Sequence, residues 1–99
     1  MDVCKRSIPG LYATEHIPLA EKVIYQRYRI KELGFYWLIA ELDLERDLAF
    51  GYANLNNDAF AEWGYISINE LVDNEVELDG AWTPRTYQDA MQWIREEKR

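Results

Sequence analysis

Three strand-length runs lie almost back to back between residues 22 and 55, and no other feature constrains the chain as tightly. "KVIYQRYRI" (22–30), "FYWLIAELD" (35–43) and "LAFGYANL" (48–55) are rich in β-branched and aromatic side chains, and four residues separate each from the next. Loops this short join antiparallel neighbours, because a parallel crossover needs roughly a dozen residues. The segment therefore reads as a meander of two hairpins. If 31–34 and 43–47 close them, Ile30 faces Phe35, Trp37 faces Ala53, Ile39 faces Gly51 and Leu42 faces Leu48. One face then carries Ile24, Tyr28, Ile30, Phe35, Trp37 and Ile39 beside the small Ala49, Gly51 and Ala53. The other carries Tyr25, Arg27, Arg29, Tyr36, Leu38, Leu42, Phe50 and Tyr52.

The rest of the chain supplies fewer strands and two helices. "NNDAFAE" (56–62) has turn chemistry, and "WGYISI" (63–68) is a fourth strand. It runs into a short helix that Ser67 can cap, with Glu70 at capping-box spacing and Asn74 as its stop. "VELDGAW" (76–82) is a weaker fifth strand. "TPRTYQDAMQWIREEKR" is a helix opened by Thr83-Pro84 or by Thr86 with Asp89. Its apolar stripe is Tyr87, Ala90, Met91 and Ile94, and Arg95, Lys98 and Arg99 suit its C-terminal end. Gly51 and Ala53 leave room for this helix, so the expected docking face is theirs. The expected fold is α+β: an antiparallel meander of four or five strands, a short helix after the fourth, and a C-terminal helix packed on one face. It forms a single domain, with an irregular segment at 1–21, the sheet at 22–82 and the final helix at 83–99.

Ninety-nine residues, 48% of them hydrophobic, support one core and not two. No apolar run approaches the roughly 20 residues of a membrane span, and no apolar stretch follows Lys5-Arg6 as in a secretory signal. The single cysteine, Cys4, cannot close an internal disulfide, which fits a cytoplasmic protein. Beside Lys5 and Arg6 it reads as a plain thiol near the N-terminus. Net charge is −7, and from Glu41 to Asp79 eleven acidic residues face one basic residue, Arg46. Phosphate backbones require clustered Lys and Arg, so this segment argues against duplex nucleic acid. It is either a solvated surface or an attractor for a basic protein partner.

Motifs for chemistry are sparse. One Cys and one His are too few for a structural zinc site, and Asp43-x-Glu45-x-Asp47 has Leu48 where a calcium loop needs glycine. The five glycines are scattered, so no nucleotide cradle forms and no cofactor is expected. His16 is the only histidine, and Glu15 precedes it. An enzyme using that pair is one reading, although neighbours on an extended segment point to opposite sides. The face with Tyr25, Arg27, Arg29, Tyr36 and Tyr52 interleaves rings with guanidinium groups. It suits a protein-binding surface or a platform for single-stranded bases, or else serves as a second core layer. Protein binding is the leading expectation, with no catalytic residues, and an exposed edge at "WGYISI" could pair two copies.

Several phrases in order resemble the domain-of-unknown-function family 2958. They are Leu11-Tyr12-Ala13-Thr14-Glu15, Glu41-Leu42-Asp43, Phe50-Gly51-Tyr52 and the run "EWGYISINEL" from Glu62 to Leu71. The family's Glu-Arg-Asp phrase before its last strand appears here as Glu77-Leu78-Asp79. The resemblance implies a single α+β domain in a mobile-element setting, and no activity. It also singles out Tyr12, as an anchor for the N-terminal segment, and Glu15, at the turn into the first strand.

Overall fold

A computed structural model describes residues 8–97. Cys4, Lys5, Arg6, Lys98 and Arg99, which figured above, lie outside the described residues. The chain forms β1 (Val23–Ile24), β2 (Gln26–Ile30), β3 (Phe35–Asp43), β4 (Leu48–Leu55) and β5 (Glu62–Ser67). Helix α1 (Ile68–Asp73), β6 (Glu77–Leu78), β7 (Arg85–Thr86) and helix α2 (Tyr87–Glu97) follow. The main sheet is antiparallel, in the order β5-β4-β3-β2-β6, and β1 pairs with β7 in a separate two-stranded ribbon. This is the α+β meander expected from the loop lengths, with the fifth strand cut to two residues.

Helix starts follow local side-chain chemistry. The Ser67 hydroxyl accepts from the Glu70 amide, and Asn74 closes α1 by donating to the Glu70 carbonyl. Thr86, rather than Thr83, caps α2 by accepting from the Asp89 amide.

The register holds in the middle of the meander and slips at its ends. Ile30 lies opposite Phe35, Trp37 opposite Ala53 and Ile39 opposite Gly51. A bulge between Ile39 and Glu41 then shifts the ladder, so Leu42 faces Ala49 rather than Leu48. Leu42 moves to the Ile39 face, and Ala40 joins Leu38 on the opposite one. At Tyr25 the first run breaks, its amide donating to the Ile39 carbonyl at 2.9 Å. That break carries Ile24 to the Leu38 side.

The C-terminal helix docks on the face opposite to the one expected. Its Ala90 and Ile94 bury against Ile24, Tyr36, Leu38 and Ala40, with Trp82 beside them. The Gly51 side is covered instead by α1, through Leu71 and Ile68, together with Val76. Gly51 is small for a different reason: a Cβ there would stand 1.9 Å from the Leu38 carbonyl oxygen, so it admits a close backbone and not a helix. What selects the docking face is attachment at both ends of α2. Thr86 pairs with Val23, and the Tyr87 amide donates to the Lys22 carbonyl at 2.8 Å. At the other end of this eleven-residue helix, Glu97 meets Arg27 on β2. Each fully buried Ile or Leu in these layers contributes about 1.5–3 kcal/mol.

Candidate functional site

The aromatic–arginine face is a core layer, closed by α2. Arg27 is 3% exposed. Its Nε and Nη2 donate to Asp79 Oδ2 at 3.1 and 2.7 Å, and its Nη1 and Nη2 donate to Glu97 at 2.7 and 3.0 Å. Its guanidinium carbon lies 5.2 Å from the Trp82 ring centre and 5.3 Å from that of Trp93. Burial pulls the guanidinium pKa down, and the two carboxylates more than offset this, holding it above its ordinary value. The Arg27 hydrogen bond holds Glu97 below the usual carboxylate range, against burial. Burial pushes Asp79 up, but Arg27 and the Ala81 amide bring it below that range as well.

Arg29 approaches Asp79 at 3.8 Å. Tyr36 is buried and its hydroxyl accepts from Asn54, while Tyr52 packs on Tyr87 at 5.1 Å. Tyr25 is half-buried at the strand break. Of the readings open for this face, the core layer is the one the packing matches: Arg27, Tyr36 and Tyr52 are enclosed beneath α2 rather than presented as an open recognition surface. The rings are under a helix because its stripe needed an apolar face, and both faces of this sheet are apolar.

A cleft of about 400 Å³ opens at the other end of the same layer, under residues 10–22. That segment is a series of turns: the amides of Ala13, Glu15 and Ile17 donate to the carbonyls of Gly10, Tyr12 and Thr14. Tyr12 has φ of +70°, a left-handed conformation that costs a non-glycine residue roughly 1–3 kcal/mol. Glu41 holds the arch in place. Its carboxylate accepts from the Tyr12 amide at 2.9 Å, the Thr14 amide at 3.1 Å and the Thr14 hydroxyl. The Leu42 amide fastens the start of the arch, donating to the Pro9 carbonyl at 2.9 Å. Lys22 completes the floor, its Nζ donating to the Thr14 carbonyl and hydroxyl and standing 4.0 Å from Glu41. Both charges are almost wholly buried, with side chains 5% and 4% exposed.

Aromatic rings form one wall. Tyr12 and Tyr65 meet edge to face at 6.5 Å, and the Tyr65 hydroxyl donates to that of Tyr12 at 3.2 Å. That hydrogen bond holds the Tyr65 phenol above its ordinary pKa, with smaller contributions from burial and nearby negative charge. Phe50 lies 5.6 Å from Tyr65, and Ile17 and Leu19 face them from the arch. Glu15 lines the cleft, whereas His16 is exposed and is not among the lining residues. The two are not brought together as an acid–base pair. Of the candidate site residues named from the sequence, Tyr12 and Glu15 belong to the cleft; Glu41, Phe50 and Tyr65 lay in the resembling phrases without a site role, and Lys22 was not singled out. The available signal was Glu41, a carboxylate inside an otherwise apolar central strand.

The acidic hairpin is used structurally. Asp47 accepts from the Ser67 hydroxyl and the Asn69 amide at 3.0 and 2.8 Å, and Asp43 accepts from the Arg46 amide. Among the described residues, no group of three or more His, Cys, Asp or Glu side chains converges to hold a metal ion. No described helix is long and apolar enough to cross a membrane.

Fold and site together define a small α+β module with one sheet face under each helix and an aromatic, carboxylate-bearing cleft at the end of one layer. No family model, no curated protein and no solved structure matches the chain.

Proposed function

We propose that the protein is a non-enzymatic protein-binding module that engages its partner through the cleft and the adjoining edge of β5. The observation that carries this is the placement of a preformed cleft beside an outer strand. β5 ends the strand order, and among the described residues no strand pairs with its outer side. Such an edge offers backbone groups to an incoming extended segment, and neighbouring pockets then select its side chains. Phe60 is 79% exposed just before β5, and Tyr65, on β5 itself, is 55% exposed while lining the cleft. The phrases that resemble family 2958 supply Tyr12, Glu15, Glu41, Phe50 and Tyr65, all of them lining residues. A cytoplasmic, mobile-element setting, with a host protein as partner, belongs to the same proposal.

The test is photo-cross-linking in cells. A benzoyl-phenylalanine replacing Tyr65 is expected to cross-link one discrete partner, while the same probe at the exposed Gln88 on α2 does not. A cross-linked second copy would identify the partner as the chain itself. Equal yields at the two positions, or none at either, would refute the proposal.

A further inference from the structure

Resting on that protein-binding reading, we infer that the cleft takes the cationic side chain of the partner, a lysine or arginine on a segment laid along β5, with Glu15 as its counter-charge. The cleft already accommodates one ammonium: Lys22 Nζ lies 6.0 Å from the Phe50 ring centre and against Glu41. That internal pair is closed. Lys22 is engaged by Thr14 and Glu41, and Glu41 by Tyr12, Thr14 and Lys22. Glu15 is the remaining charge on the lining, exposed and without an ion pair among the described residues. It stands with the rings of Tyr12 and Tyr65, each about half exposed.

Ring faces and a carboxylate attract an organic cation and repel an anion. The one lysine on the lining is buried and turned to Thr14 and Glu41, so it is not offered to an anionic ligand. Position argues the same way. Side chains on alternate residues of an added strand project to one face, and Tyr65 presents the cleft on that face of the edge. The chain's net charge of −7 also favours a basic partner over an acidic one.

The experiment is an NMR titration of the ¹⁵N-labelled chain with a capped pentapeptide, Thr-Val-Lys-Val-Thr, and with its norleucine counterpart. The lysine peptide is expected to shift the Glu15 and Tyr65 amides saturably, and to bind at least tenfold more tightly than the norleucine peptide. Glu15→Gln should remove most of that discrimination while leaving the melting temperature unchanged, since Glu15 is exposed. Equal binding of the two peptides would overturn the cation assignment and leave edge docking standing. Discrimination that survives Glu15→Gln would overturn it too. Binding of neither peptide would also overturn it, and the Tyr65 cross-link then decides the wider reading separately.

Discussion

At the scale of single residues, the molecule is organised by two buried charges with opposite histories. Arg27 reads in sequence as one of two guanidinium groups on an open face; in the structure it is enclosed by Asp79, Glu97, Trp82 and Trp93. Removing it strands a buried carboxylate. Arg27→Met is expected to cost about 3–5 kcal/mol by urea unfolding. Arg27→Met with Asp79→Asn should recover part of that, because the orphaned charge is gone. The pair also sets an acid response. Asp79 and Glu97 titrate below their unfolded values, so their stabilisation is present above the ordinary carboxylate range. It is lost as pH falls through the lower, folded values. Unfolding free energy should therefore drop more steeply below about pH 4 in the parent chain than in Arg27→Met. Glu41 has the other history. In sequence it opens the acidic run and the Glu41-Leu42-Asp43 phrase, and in the structure it fastens Tyr12 and Thr14 to the sheet. Glu41→Gln is expected to raise hydrogen exchange at residues 12–17 before the rest of the domain responds, and exchange mass spectrometry would measure it.

At the scale of elements, the meander was legible because its loops are short and its runs alternate, whereas the bulge was not. Nothing about Ile39, Ala40 or Glu41 as residue types marks a place where two residues oppose one. Its consequence is concentrated at Gly51. Gly51→Ala would drive a Cβ to 1.9 Å from the Leu38 carbonyl oxygen, in the centre of the sheet. A loss of about 1–3 kcal/mol or more is expected by chemical denaturation. Its cross-strand partner Gly64 is the control: a Cβ there meets nothing within 4 Å, so Gly64→Ala should be close to neutral. The Ser67 cap was legible from spacing alone, since an N-cap needs only its own first turn, whereas the start of α2 was narrowed to Thr83 or Thr86 and the structure selects Thr86. The stripe on α2 was legible as well, and Ile94 is 4% exposed. Ile94→Asp is expected to abolish cooperative unfolding, whichever sheet face the stripe meets.

At the scale of the whole molecule, charge and layering look different from the chain read end to end. The acidic run from Glu41 to Asp79 suggested one negative surface, yet its first and last carboxylates are buried and paired. Asp47 is committed to the start of α1. The strongly acidic segment is therefore partly an internal framework, and the charge on which the proposed recognition rests, Glu15, lies outside that run. The types of the main elements, the hairpin order, the central register and the Ser67 cap followed from the sequence alone. All of these depend on neighbours within a few residues or on the strict alternation of a strand. Only the tertiary structure decided which face α2 covers, which charges are buried and where the cleft lies. The physical reason is that both sheet faces carry enough apolar surface to receive a helix. The choice between them is made by contacts distant in sequence: Val23 with Thr86, Arg27 with Glu97, and Glu41 with Tyr12 and Thr14.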